Sequence, residues 1–473
     1  MKNEQRNPLQ IAFFFLSIIL VIGIGSYLNP SAEISINEHF TLRAPQWKLT
    51  VLEPIEEEPL VIEDLSKDTI VKEINKSRTD ERSKKTQRRL STISFSKDDT
   101  LRFKSFSKSL ERLDLKTSLR ILHYGDSQIE GDRMTREIRD FFQKNYGGNG
   151  AGFQNLTPFV PMAAVAHTTK GEWYRMVSFG RKNQKQEQGR YGLSGISNRY
   201  KVQNDVGADA IVSFKPRKYG YTRARKFSRF ELFHGPSKGP FEIKWFANDT
   251  LWRIEYLDSN ASGGSFIQIA TDPVQELKLE FTGNSPDLYG ISLDGLFGVN
   301  VDNISMRGAS GTSFTQMDEF HLSQELKNHP IGLIILQFGG NSVPYFKSKE
   351  SVSRYGDSFV RQIRLFRRLV PSANILVIGP SDMAFKAGLN WVSYPFVREV
   401  RDIMKKVAFD ENVGFFDLFA LMGEEGSMVD WVNQSPPLAG PDYIHFTPRG
   451  AKKVGKAIAV SYTHLRAHET RIH

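Results

Sequence analysis

Two uncharged runs, IGLIILQFG (331–339) and ANILVIGP (373–380), constrain this chain most. Each is rich in β-formers and has no polar face to offer water. Strands of this kind need cover on both sides, which helix-flanked parallel sheets provide. Charged stretches with helical spacing lie between and after them, FVRQIRLFRRLV and FVREVRDIMKKVAF, and VGFFDLF reads as a last strand. Far upstream, SLRILHYG (118–125) is a further β-rich run. In the RMTREIRDFFQKNYGG that follows, Met134, Ile138, Phe141 and Phe142 fall on one helical face, and Gly147 and Gly148 stop the helix. This is a strand–turn–helix unit.

Between these pieces the texture changes. ADAIVSF, RFELF, FEIKWF, LWRIEY, SFIQIA, ELKLEF and LYGISL are short alternating runs, mostly separated by Gly, Asn, Asp, Ser or Pro. Such spacing predicts an antiparallel β-sandwich. The expected architecture is therefore an α/β domain begun at 116–170, interrupted by a sandwich at 171–292, and resumed at 293–459.

The rest of the chain speaks to location. Ile11–Leu28 is an 18-residue run without a charge, close to the ~20 residues that cross a bilayer as a helix. Lys2 and Arg6 precede it and the next cation is Arg43, so the positive-inside rule puts the N-terminus in the cytoplasm and the remainder outside. Residues 1–28 are thus expected to form a cytoplasmic tip and membrane anchor, with a cleaved signal peptide as the rival reading. A periplasmic or extracellular location argues against nucleic acid as a partner, although the net charge is +10. Residues 29–115, with the blocks EPIEEEP and KSRTDERSKKTQRR, are expected to form a charged stalk. The absence of Cys excludes disulfides, zinc–thiolate sites and a thiol nucleophile. At the other end VSYTHLRAHET (460–470) breaks the preceding pattern and resembles a translated sequencing-library adapter. Residues 460–473 are expected to be foreign, with the native last helix cut short near Ala459.

Three separated segments carry candidate chemistry: Gly125-Asp126-Ser127 after the first buried strand, FGGN ending at Asn341 after another, and PDYIH with Asp442 and His445 three residues apart. Sites in open α/β sheets form at the carboxyl ends of strands, so the first two can converge. A serine hydroxyl needs a base to take its proton, and the base needs a carboxylate to hold its tautomer. Ser127, His445 and Asp442 supply these groups. An oxyanion needs preorganised donors, for which the Ser127 backbone N–H, a glycine N–H and the Asn341 amide are available. Taken alone, Ser127 reads equally well as a helix cap.

GDSQ, RGASGTSF, FGGN and DYIH, in this order and strand context, resemble the four blocks of the SGNH (GDSL-like) hydrolase family. The resemblance implies a three-layer α/β/α, flavodoxin-like domain. It implies Ser127 as nucleophile, His445 as base and Asp442 as its orienter. Ser127, Gly311 and Asn341 would form the oxyanion hole, with Gly311 fitting the block better than Gly308. No metal or cofactor is implied. Gln128 and Ser342 depart from the lipase-like pattern. GDSQIEGDRM and the inserted β-domain are similar to bacterial peptidoglycan O-acetylesterases, whose insertion is like a carbohydrate module. The implied reaction is hydrolysis of acetyl esters on an envelope polysaccharide through an acetyl-serine. An O-acetyltransferase on the same triad and a non-catalytic glycan-binding protein are the alternatives, and oligomeric state is open.

Gln128, Asp132 and Arg133 are weaker candidates for substrate contact; the latter two also suit capping and orienting the helix. His123 is expected to be packed or hydrogen-bonded. FKPRKYGYTRARKF (214–227) could meet anionic glycans or be a solvated sandwich loop, and YGGNGAGF reads as a turn that could shape the groove.

Overall fold

The computed structural model describes residues 33–37, 40–43, 93–96 and 100–469, apart from 187 and 204–206. The expected anchor at 11–28 and both charged blocks of the stalk lie outside the described residues. Among those described, no helix is long and apolar enough to cross a membrane. The chain divides into units at 1–75 and 76–473. In the first, β1 (Glu33–Asn37) and β2 (Phe40–Arg43) form an antiparallel hairpin.

The second unit begins with α1 (Thr100–Glu111), β3 (Ser118–Gly125) and α2 (Thr135–Tyr146). It enters a β-rich insertion through β4 (Gly150–Gln154), β5 (Val165–Lys170), β6 (Trp173–Val177), β7 (Ile196–Tyr200) and β8 (Ala210–Pro216). The insertion continues with β9 (Arg229–His234), β10 (Phe241–Ala247), β11 (Thr250–Leu257), β12 (Gly264–Ile269), β13 (Leu277–Gly283) and β14 (Leu288–Asp294). The chain returns as β15 (Gly298–Ser305), α3 (Glu319–Lys327), β16 (Ile331–Gln337), α4 (Lys349–Leu369) and β17 (Asn374–Ile378). A hairpin of β18 (Ala384–Ala387) and β19 (Asn390–Ser393) precedes α5 (Val397–Asp410), β20 (Gly414–Phe416), α6 (Leu418–Met422), α7 (Ser427–Asn433) and α8 (Pro448–Glu469).

The central sheet runs β15-β3-β16-β17-β20, all parallel. In chain order this is 2-1-3-4-5, the flavodoxin-like order. Its strands are apolar on both faces, as the uncharged runs required. Ile121, Leu333, Ile335, Leu376 and Ile378 pack with α1, α2 and α8 on one side. Leu122, Tyr124, Ile334, Leu336 and Val377 pack with α3, α4 and α5 on the other. The alternation follows from successive side chains of a strand pointing to opposite faces.

The insertion is two antiparallel sheets, β11-β10-β13-β8-β5 and β12-β9-β14-β7-β6, with β4 paired to β14. Phe214, Ile243, Trp245, Leu279, Phe230, Leu232 and Ile291 meet between them. The outer face of the second sheet is also covered: Phe153, Phe233 and Tyr289 share a cluster with Leu322 and Leu326 of α3. A buried ion cluster joins the two parts. Arg120 on β3 pairs with Asp302 on β15 at 2.7 Å and with Asp294 at the end of β14.

Three boundaries differ from expectation. The sandwich begins at Gly150, not 171, because β4 and β5 pair with its strands. The α/β domain takes in residues assigned to the stalk: Ile93, Phe103, Phe106 and Leu110 are buried in its core, and Ser94 bridges antiparallel to Phe415 at the sheet edge. The resumption at 293 falls inside β14, which ends at Asp294. The last helix itself runs on into the segment expected to be foreign, to Glu469, and Tyr462 is buried against Phe106 and Phe142. YGGNGAGF shapes packing and not a groove. A Cβ on Gly148 would lie 2.5 Å from the Val299 backbone and one on Gly152 2.4 Å from the Val301 carbonyl, at φ of +109° and +73°. FKPRKYGYTRARKF is the end of β8 and the sandwich loop after it, whose Tyr221 hydroxyl donates to Glu137 of α2 at 2.8 Å.

Candidate active site

Strand β3 ends at Gly125 and β16 at Gln337, adjacent in the sheet at its switch point. The chain after β3 turns sharply and presents Ser127, while Gly339, at φ +112°, turns the chain after β16 into Gly340-Asn341. Open parallel sheets bind ligands in this crevice. The loop before α8 delivers the remaining groups. Ser127 Oγ lies 2.8 Å from His445 Nε2, and His445 Nδ1 lies 2.7 Å from Asp442 Oδ2. Asp442 Oδ1 accepts the backbone N–H groups of Ile444 and His445 at 3.1 and 3.0 Å. Burial acts against the charged form of Asp442, but these bonds outweigh it and hold its carboxyl below the usual range. The carboxylate thus stays ionised beside the imidazole, the arrangement that fixes a base tautomer.

The Ser127 turn is braced from beneath. Asp126 is buried and its Oδ1 accepts the Gln128 N–H at 2.9 Å. Burial pushes Asp126 up to about 6, against the opposing pull of the Gln128 N–H, His445, Asn341 and Arg133. Arg133 donates to the Ser127 carbonyl at 2.5 Å, to the Glu130 carbonyl at 2.8 Å and to the Phe446 carbonyl at 3.5 Å. Gln128 Nε2 donates to the Ile444 carbonyl at 2.6 Å and to Ser381 Oγ at 3.2 Å. Arg133 and Gln128 therefore tie the nucleophile turn to the His445 loop. These contacts correct the expectation of substrate contact for Arg133, whose guanidinium is engaged by backbone carbonyls. Gln128 does line the pocket, and its Oε1 is buried without a hydrogen-bond partner. Asp132 is overturned as a ligand contact: it is buried, pairs with Arg139 at 2.5 Å and does not line the pocket. Nor does it cap α2, whose first turn has no side-chain cap. His123 is packed as expected, between Gln337 at 3.1 Å and Thr135 at 2.9 Å, and burial lowers it to about 4.

A hollow of about 170 Å³ opens beside Ser127 and His445, walled by Gln128, Phe338, Pro380, Met383 and Ile444, with Asn341 and Tyr345 at its side. It is small and mostly apolar. Asn341 Nδ2 donates to the Ala309 carbonyl at 3.2 Å, which holds the glycine loop against the site, and the same amide also reaches the Asp126 carboxylate. Gly311 takes φ +78° beside the Phe338 ring and is buried, whereas Gly308 is exposed. Neither glycine lines the hollow. Glu130 anchors this loop through Arg307 at 2.6 Å. A larger cavity of about 410 Å³ lies between β9, β12 and α3 and contains none of the triad residues.

Sequence reasoning missed the brace on the third loop. The β18–β19 hairpin places Trp391 flat on Tyr443, ring centroids 3.7 Å apart, and Ala384 N–H donates to the Tyr443 carbonyl at 2.9 Å. Tyr443 has φ +56°, a left-handed conformation that turns the DYIH loop and places Asp442 and His445 together. The runs AFKA and NWVS were too short to signal it.

The model of the GDSL-like lipase/acylhydrolase family matches residues 263–453. That segment is similar to the GDSL-like family. It holds Gly311, Asn341, Asp442 and His445; Ser127 precedes it, separated by most of the sandwich. A solved structure described as a peptidoglycan O-acetylesterase in action aligns with a TM-score of 0.61 at 22% identity, over 77% of this chain and 96% of that one. This likeness shows the shared fold. A family-two carbohydrate esterase from Clostridium thermocellum, in complex with cellohexaose, aligns at 10% identity and a TM-score of 0.26, over 63% and 99% of the two chains. A salicylyl-acyltransferase from a tetracycline biosynthetic pathway aligns at 12% identity and 0.27, over 65% and 96%. No curated protein matches the chain.

Proposed function

We propose that this protein is a serine esterase that removes O-acetyl groups from a cell-envelope polysaccharide such as peptidoglycan. The observation that carries the reading is the continuous relay Ser127–His445–Asp442 opening into a hollow of about 170 Å³. A hollow of that size suits a short acyl group.

In this reading Ser127 Oγ attacks the acetyl carbonyl while its proton passes to His445 Nε2. Asp442 stabilises the imidazolium. The negative charge on the carbonyl oxygen is met by the Ser127 backbone N–H and the Asn341 amide, both at the hollow, while the Gly311 N–H is the third donor that the family resemblance implies. Collapse breaks the bond to the sugar oxygen, which leaves with the proton from His445. Water then attacks the acetyl-serine, giving its proton to His445, and acetate departs as Ser127 is reprotonated. The likeness to a peptidoglycan O-acetylesterase supports an acetylated glycan as substrate. The uncharged run Ile11–Leu28, with Lys2 and Arg6 before it, supports an anchored protein whose catalytic part faces the periplasm or exterior.

The test is acetate release by the full-length protein from O-acetylated peptidoglycan, with labelling by a fluorophosphonate. Acetate release and labelling, both lost in Ser127→Ala, are expected. Undiminished turnover by that variant would overturn the mechanism. Transfer of the acetyl group to an added glycan in preference to water would replace hydrolysis by acetyl transfer.

A further inference from the structure

We infer that the pocket at Ser127 continues into a groove that binds the polymer and selects a glycan strand carrying carboxylates. The inference rests on the esterase reading and names its substrate class.

The hollow at Ser127 holds an acyl group but not a sugar chain. Next to it lies a more open depression of about 520 Å³ that shares Asn341 and Tyr345 with it. Tyr345 stands between the two and is 80% exposed. An exposed aromatic ring at the mouth of a polar groove offers an apolar face to a sugar ring and a hydroxyl to its edge. The groove's walls come from four places: the segment after β6, the glycine loop, the segment after β16 that carries Asn341 and Tyr345, and the first half of α4. Their side chains are mainly hydroxyls and amides, the groups that exchange hydrogen bonds between water and sugar.

The charge of the groove is one-sided. Its lining contains Lys185 and Arg354 and no Asp or Glu. Lys185 Nζ donates to the neutral Gln316 Oε1 at 2.9 Å. Arg354 feels Glu350, one turn earlier on α4 and outside the groove. Among the described residues neither cation is within ion-pair distance of a carboxylate. Two cations without a described carboxylate partner, set in a concave surface, raise the local concentration of anions, and salt weakens the effect. Lys185 belongs to the sandwich insertion and Arg354 to the α/β domain, so selection depends on both parts of the molecule.

The test compares acetate release from polygalacturonate and glucomannan acetylated to the same degree, with 4-nitrophenyl acetate alongside. At low salt, kcat/KM for the acidic polymer is expected to exceed that for the neutral one by about tenfold or more. Lys185→Glu with Arg354→Glu should lower that ratio about tenfold, mainly through KM, whereas Lys185→Arg with Arg354→Lys should retain it. A wild-type ratio near one, or a ratio that survives charge reversal, overturns the inference and leaves the esterase reading standing. Absence of turnover on all three esters overturns the esterase reading itself.

Discussion

The two loops that meet at the site are built differently. The turn carrying Ser127 follows a central strand, sits on a buried carboxylate and is pinned through Arg133 and Gln128. The loop carrying Asp442 and His445 follows an irregular stretch, and these side chains remain 48% and 34% exposed. It is held by its own Asx-type bonds, a stacked Trp391 and the donors of the Ser127 turn. The nucleophile is fixed by the sheet, and the base is fixed mostly by reference to the nucleophile. Proton transfer tolerates little misplacement, so the shared ties should matter as much as either loop.

The comparison predicts an order of effects. Ser127→Ala and His445→Ala should each reduce kcat on an aryl acetate by about 10⁴-fold or more, read by steady-state kinetics. Asp442→Asn should cost less than the ~10⁴-fold typical of a buried triad carboxylate, because water reaches the half-exposed ring edge. A full loss would show that the exposed loop is as closed as the buried one during turnover. Arg133→Ala removes charge-assisted bonds to both loops, each worth roughly 1.5–3 kcal/mol. It should lower kcat 10- to 100-fold, as about 1.4 kcal/mol is a factor of ten, with a smaller change in KM. If KM changed instead, Arg133 would be touching substrate after all.

Asp126 bears on stability. Its ionised form is disfavoured by burial, so the folded protein keeps the proton up to about pH 6 while the unfolded chain releases it near 4. Between those values the unfolded state binds fewer protons and stability falls as pH rises. Asp126→Asn should abolish that decline, worth roughly 2–3 kcal/mol, in urea unfolding at pH 4 and pH 7. A decline unchanged in the variant would assign it to another buried carboxylate. The smallest effect is expected for Trp391→Ala. Loss of the stack with Tyr443, roughly 0.5–1.5 kcal/mol, should lower kcat up to about tenfold with little change in the melting temperature.

Residue order and local pattern sufficed for much of this. The uncharged runs at 331–339 and 373–380 are buried strands because nothing on them can face water, and their helices read clearly for the complementary reason. GDS, FGGN and DYIH pointed to Ser127, Asn341, Asp442 and His445, since each lies at a strand end or in a turn where its chemistry is exposed. Tertiary structure alone decided the rest. Gly150–Gln154 joins the sandwich because β14 offers it a pairing edge, and Thr100–Glu111 joins the core because Phe106 meets Phe142 and Tyr462 from distant parts of the chain. Asp132 faces Arg139, and Arg133 faces three carbonyls, because the turn at Gly131–Asp132 takes positive φ and rotates both away from the pocket. The groove beside Tyr345 is made by residues more than 150 positions apart, as the numbers Lys185 and Arg354 show. Local sequence sets which side chains can do chemistry; long-range packing sets which of them meet, because those contacts are fixed only when the whole chain has closed.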